Sequence, residues 1–193
     1  MLPNVIKEFK EIYPKSKFYI YASSNQEMID KLKNNELDLL IMQYPIFLNE
    51  SNIKEEMLCK LETCFYSNKE YYDIYCNNSN SITEIPTILP MRGFPDINKL
   101  EEPLKSNKII LKHDYTSYTT ELAINLVKNG LGIGWGLKKC IEDSLKTKEL
   151  YELKTEFKLP LSCFSIAYNE SILNNTTKEF LKLFKERMKE ISK

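Results

Sequence analysis

Apolar residues recur at helical spacing from the first residues of the chain. Leu2, Val5, Ile6, Phe9, Ile12 and Tyr13 fall on one face, Pro3 stands near the start and Pro14 stops the pattern, so the spacing predicts an amphipathic helix. The run Lys17 to Ala22, KFYIYA, is aromatic and β-branched and predicts a strand. Ser24 followed by Glu27 reads as a capping box that opens a second helix with Met28, Ile29 and Leu32 on its apolar face. LDLLIMQ, Leu37 to Gln43, is nearly continuous in apolar residues, as a strand covered on both faces would be. Helix, strand, helix, strand is the alternation of an α/β unit with a parallel sheet.

Strand-like runs dominate the next stretch: EMLCKLETCFYS, YDIYC, PTILP and, between Leu104 and Lys112, KIIL. A helix is expected over Thr119 to Asn129, with Leu122, Leu126 and Val127 on one face. A helix containing Cys140, Ile141, Leu145 and Leu150 follows, then the strand CFSIAYN. The last helix opens on a capping box of Thr176 and Glu179 and carries a stripe of Phe180, Leu181, Phe184, Met188 and Ile191, the pattern of a core-facing surface.

Between two of these helices lies GLGIGWG, Gly130 to Gly136, which holds four of the five glycines. A dinucleotide-binding loop needs Gly-x-Gly-x-x-Gly after a strand and before a helix. Here the third glycine is missing from either frame, at Trp135 or Leu137, and what precedes the segment is a helix instead of a strand. The segment therefore reads as a helix ending in a left-handed Gly130, feeding a tightly packed strand through Ile133 and Trp135.

Composition narrows the function. The chain has 193 residues, 42% hydrophobic and 28% charged, enough for one ordinary domain or two small lobes. Its 27 basic residues balance 27 acidic ones, which argues against a segment that grips nucleic acid by itself. Five cysteines without Cys-x-x-Cys spacing read as reduced, buried or half-buried thiols, and the single histidine, His113, leaves little for a metal site. No paired carboxylates or Cys-His pairing mark a catalytic centre, so no enzyme activity, metal or cofactor is expected. Without a membrane-length apolar run or an export signal at the start, a soluble, cytoplasmic protein is expected.

Several segments, in order, resemble the effector-binding domain of LysR-type transcriptional regulators: MLPNVIKEFKEIYP, SSNQEMIDKLKNNELDLLIM, LAINLVKNGLGIGWGLKKCI with LKTKELYEL after it, SIAYN, and TTKEFLKLFKERM. The likeness spans essentially the whole chain. It implies an α/β fold of two Rossmann-like lobes with a central cleft, like type II periplasmic binding proteins, with lobe I formed by residues 1–67 and 166–193 and lobe II by 68–165. It implies an effector-sensing domain that controls transcription through a DNA-binding domain. Its dimer surface would be the first helix and the Lys17 to Ala22 strand. The family's winged helix-turn-helix and first strand do not precede LP here. The rival reading is a solute-binding protein of a transport system with the same architecture, and a second is an enzyme on that scaffold.

Ligands of parallel α/β lobes sit beyond the carboxyl ends of strands, where helix N-termini present free N–H groups. That rule selects Ser23, Ser24 and Asn25 after KFYIYA, Gln43 and Tyr44 after LDLLIM, Met91, Arg92 and Gly93 after PTILP, and Tyr115, Thr116 and Ser117 before the glycine-bearing segment. The family places effector contacts on the same loops and brings Trp135 to the cleft border. Only Arg92 and Arg187 are arginines. Arg92 suits bidentate recognition of a carboxylate, against the plainer reading of a surface or salt-bridged arginine. Arg187 reads as a solvated helix face. Ser24, Thr116 and Ser117 serve as caps or as ligand contacts, and Tyr44, Tyr115 and Trp135 line a core or stack on an aromatic effector.

Overall fold

The structure is a computed structural model that describes residues 2–45, 51–77, 81–91 and 95–191. The chain divides into two compact units, residues 1–60 with 163–193 and residues 61–162. The crossings therefore fall at Lys60/Leu61 and Ser162/Cys163, earlier than the 67/68 and 165/166 boundaries expected. The reason is strand pairing: Thr63–Ser67 hydrogen-bonds wholly within the second unit's sheet.

In chain order the elements are α1 (Leu2–Ile12), α2 (Asn25–Lys33), β1 (Leu40–Gln43), β2 (Lys54–Leu61), β3 (Thr63–Ser67), α3 (Lys69–Asn77), β4 (Pro86–Pro90) and α4 (Pro95–Ser106). They continue with β5 (Lys112–Ser117), α5 (Thr120–Lys128), β6 (Ile133–Leu137), α6 (Lys138–Lys146), β7 (Tyr151–Leu153), β8 (Ser162–Tyr168) and α7 (Asn175–Ile191).

Unit 1 is built on a three-stranded sheet in the order β1-β8-β2, with β1 antiparallel to β8. On one side α2 closes over Leu32, Leu40 and Ala167, with Ile53 packed against them. Elsewhere in the unit α1 and α7 meet through aromatic rings: Phe9 stacks on Tyr13 at 4.6 Å between centroids and meets Phe180 edge-on at 5.3 Å. Phe9 is fully buried, and burying a side chain of that size contributes about 1.5–3 kcal/mol. The helices are also joined by Arg187, which donates through Nε to Glu8 at 2.9 Å and through Nη2 to the same carboxylate. The solvated-face reading of Arg187 is thus corrected: an arginine one turn above the apolar stripe reaches the neighbouring helix. On another side Lys185 of α7 donates to Glu56 of β2 at 2.6 Å, and Tyr168 of β8 donates to the same carboxylate.

Two sequence expectations fail in this unit. Lys17 to Ala22 joins no ladder. Phe18 anchors the segment by packing its ring against Phe180 at 5.1 Å, while Tyr19, Ile20 and Tyr21 stay exposed. Strand propensity is realised only where a neighbouring strand offers its backbone. Among the described residues β1 pairs antiparallel with β8, so that pair is not the parallel one expected. The cap of α7 also moves: Asn174, not Thr176, accepts from Thr177 N at 2.8 Å.

Unit 2 holds a five-stranded sheet in the order β5-β4-β6-β3-β7. β4 is parallel to β5 and β6, whereas β3 is antiparallel to β6 and β7. The parallel α/β pattern is realised here. Alternation along β3 splits the core: Phe65 joins Tyr75, Leu100, Ile133 and Trp135 on one face, while Cys64 and Tyr66 join Ile88, Val127 and Ile141 on the other. YDIYC is a helix, contrary to expectation, because Asn68 caps it at Tyr71 N (3.0 Å) and helical spacing turns Tyr71, Tyr72 and Tyr75 to one core. The strand foreseen in KIIL begins instead at Lys112, since Leu104 lies in α4 and Ile109 N bonds back to its carbonyl at 2.9 Å.

The glycine segment resolves as a helix end and a strand. Gly130 takes φ +75° after α5, and Gly132 takes φ +142° where a Cβ would stand 2.1 Å from the Pro86 carbonyl oxygen. At Gly134 a Cβ would come within 2.5 Å of the Tyr66 ring, so that glycine makes room for a buried tyrosine on the next strand. Gly132→Ala is expected to lose roughly 2–4 kcal/mol in urea unfolding through strain and overpacking. Gly136→Ala, whose added methyl meets nothing nearer than 3.9 Å, should stay within about 1 kcal/mol of the parent.

Candidate functional site

The parallel strands of unit 2 set up one edge. β4 and β5 end level with each other, Pro90 opposite Ser117, and Met91 N donates to the Ser117 carbonyl at 3.1 Å. β6 runs the same way, with Thr87 opposite Ile133. The helix after β4, α4, packs into one core cluster through Leu100, and the helix after β5, α5, packs into the other through Ala123 and Val127. The connections thus leave β4 and β5 on opposite faces of the sheet. Such a switch point leaves an open crevice beyond the carboxyl ends of the strands.

The N-terminus of α5 is delivered to this edge. Thr119 caps it, accepting from Leu122 N at 3.2 Å, and buried Ser117 donates to the Thr119 carbonyl at 2.7 Å. This leaves the first-turn N–H groups to face an anion. Thr119 is the residue that sequence reasoning missed, since Thr116 and Ser117 were the expected caps. The signal was a threonine immediately before the helix, three residues ahead of Leu122, from whose N–H it accepts. Ser117 instead fixes the turn, and Thr116 shares a 3.0 Å hydrogen bond with His113 Nε2 on the exposed strand. Tyr115 and Met91 are each partly exposed, at 37% and 44%.

Arg92 and Gly93 lie outside the described residues. Trp135 does not reach the surface: it is buried beside Phe65, Ile133 and Tyr75, and among the described residues its indole N–H and the buried Ser67 Oγ of β3 meet no hydrogen-bond partner.

The unit 1 candidates lie at two places. Ser24 caps α2, accepting from Glu27 N at 3.4 Å, while Ser23 donates to the Glu27 carboxylate. Asn25 is the first residue of α2, so Ser23, Ser24 and Asn25 gather around one helix N-terminus. Only half of the expected capping box forms, because Glu27 turns to Ser23 instead of the Ser24 N–H. Gln43 ends β1 opposite Phe164, and Tyr44 N donates to the Cys163 carbonyl at 2.8 Å.

Among the described residues, no group of three or more His, Cys, Asp or Glu is placed to hold a metal ion, and no helix is long and apolar enough to cross a membrane.

Helices on both faces of a mixed sheet, divided between two units that the chain enters and re-enters, define a two-lobed α/β fold of the type II periplasmic-binding-protein kind. The LysR substrate binding domain family matches residues 1–189, and the chain belongs to that family. It is thereby the effector-binding domain of a LysR-type transcriptional regulator, a reading favoured over a transport protein. The chain is similar to the CcmR regulatory domain of Synechocystis PCC6803 in complex with 2-PG (15% identity, TM-score 0.78, covering 97% of this chain and 91% of that one). The regulatory domain of CrgA from Neisseria meningitidis is likewise similar (16%, 0.78, 97% and 92%). So is the effector binding domain of QuiR in complex with shikimate (17%, 0.75, 98% and 91%). No curated protein matches the chain in sequence.

Replacing Thr119 by alanine removes the α5 cap and should cost about 1 kcal/mol in urea unfolding. Thr116→Ala, which loses only an exposed hydrogen bond, should cost no more than about 0.5 kcal/mol by the same measurement.

Proposed function

We propose that this domain senses a small organic anion, held at the carboxyl edge of β4 and β5. What carries the reading is the capped N-terminus of α5 at a switch point, within a domain of an effector-binding family. Helix N–H groups and dipole favour negative charge at that edge. Thr116, Ser117 and Tyr115 offer hydroxyl groups beside them, and Met91 offers an apolar wall.

Arg92, two residues beyond the end of β4, supplies the bidentate partner for a carboxylate or phosphate, with Gly93 allowing close approach. Within unit 1 by itself, Ser23, Ser24 and Asn25 at the α2 N-terminus and Gln43 and Tyr44 at the end of β1 are the candidate ligand contacts. Trp135 acts from beneath, as the packed floor of unit 2, instead of as a stacking surface. The similar CcmR and QuiR domains are in complex with 2-PG and with shikimate, and both ligands are acids, which supports the anionic class.

Binding shifts the population between conformations of the domain, and in a cytoplasmic regulator that shift passes to the DNA-binding domain through a homodimer. Exposed Ile12, Tyr19, Ile20 and Tyr21, on and after α1, support that face as the dimer surface. No reaction is assigned to the domain.

A thermal-shift screen against 2-phosphoglycolate, shikimate and other small carboxylates, with Arg92→Ala alongside, tests the reading. A ligand at about 100 times its Kd adds about 2.7 kcal/mol, roughly 5–10 °C in a chain of this size. The expected result is such a shift with one acid and its loss in the variant. Shifts given only by neutral or cationic ligands would contradict the anionic class.

A further inference from the structure

β5 carries one irregularity, and it falls beside the edge where the anion is placed. Thr87 of β4 stands opposite His113, but the next residue, Ile88, stands opposite Tyr115, so Asp114 is an extra residue in the strand. Leu89 then faces Thr116, and Pro90 faces Ser117. Along a regular strand, side chains three residues apart point to opposite faces. The bulge cancels that step. His113 and Thr116, level with Thr87 and Leu89, come to one face, and Thr116 Oγ1 and His113 Nε2 share a 3.0 Å hydrogen bond. Both residues are exposed, and Thr116 lies one residue inside the strand end, where Met91 N donates to the Ser117 carbonyl. His113 is the single histidine of the chain.

The threonine hydroxyl has one proton, and the ring decides where it goes. When the neutral ring holds its proton on Nδ1, Nε2 accepts from Thr116, which then turns only lone pairs to an approaching anion. In the charged ring both nitrogens donate. Nε2 then donates to Thr116 Oγ1, the hydroxyl proton is free to be donated to the ligand, and a positive charge stands beside it. Histidine ordinarily makes this change between about pH 5 and 8, whereas ordinary carboxylates and amine side chains titrate outside that window. Lys112 and Asp114 flank the ring on β5 and pair at 3.8 Å. Among the described residues, α4, packed on the Leu89 face, carries Lys99, Glu101, Glu102 and Lys105, with Glu101 and Lys105 paired at 2.8 Å, and α5 has Glu121 in its first turn. β4 has no titratable side chain from Pro86 to Pro90, and β5 is the outer strand of the sheet.

We propose that His113 is a proton-linked positioning residue of the anion site, turning the Thr116 hydroxyl from acceptor to donor as the ring gains its charge. The effector is then held more tightly as pH falls, and by linkage a bound anion raises the pH at which the ring loses its proton. The inference rests on the anion reading of the β4 and β5 edge.

The test uses the whole chain, isotope-labelled, with inorganic sulfate as the probe, because the charge of sulfate does not change across this window. Amide signals of the first turn of α5 report binding, and the ring nitrogens of the single histidine report its protonation in the same sample. The expected result is sulfate affinity about fivefold higher at about pH 5.5 than at about pH 8, with Nε2 unprotonated at the higher pH. Sulfate should also move the His113 titration to higher pH. His113→Gln retains a side chain that can hydrogen-bond Thr116 but cannot titrate, and its affinity should be the same at both pH values. Thr116→Val should keep only part of the pH dependence, that due to the ring charge. A pH-independent affinity in the parent, the parent's pH dependence persisting in His113→Gln, or Nε2 protonated at about pH 8 would overturn the proposal while leaving the anion reading standing. Failure of sulfate to shift any amide of the α5 first turn at either pH would overturn both.

Discussion

The insertion of β8 between β1 and β2 is the constraint on which unit 1 depends. A strand from the last part of the chain supplies the central ladder for two strands from the first part, and Ser165, Ile166 and Ala167 are completely buried in it. Unit 1 is therefore incomplete until the chain has passed through all of unit 2 and returned. The same strand fixes α7, whose Lys185 reaches Glu56 and whose Phe180 meets Phe9 of the first helix. Residues from the two ends of the chain are thus held in one core. Contacts of such long sequence separation carry a large loop-closure cost, which the aromatic packing and buried strand must offset.

Unit 2 obeys a different constraint, the close approach of β6 to its neighbours. Gly132 and Gly134 let the backbone pass Pro86 and the Tyr66 ring, which allows β6 to lie between β4 and β3. Three parallel strands can then end along one edge with α5 starting there. The geometry that favours an anion is a by-product of packing that has nothing to do with the ligand.

Much of the fold was legible because packing writes strong periodic patterns. The helices α1, α5 and α7 and the glycine turn into β6 were read as they stand, and so were Val5, Phe9, Val127, Phe180, Leu181, Phe184 and Met188 as core positions, whereas Ile12 and Leu122, counted on the apolar faces, are exposed. The failures have one cause, that local preference is indifferent to partners. YDIYC is rich in residues suited to strands, yet an asparagine cap and three tyrosines at helical spacing make it a helix. KFYIYA has the same composition and finds no strand beside it. The candidate site was legible through the rule of carboxyl strand ends, which located Met91 and Ser117. The division of labour among hydroxyl groups was not, because a cap, a turn and a ligand contact look alike in sequence. Thr119 took the cap, Ser117 the turn, and Trp135 the core.

On the proposed reading an acid effector engages the α5 edge of unit 2. Hydrogen exchange of the domain with and without a bound acid measures this most directly. It should show new protection at amides of the first turn of α5 and around Met91, with α7 unchanged. Protection found only on α7 and β2 would contradict it.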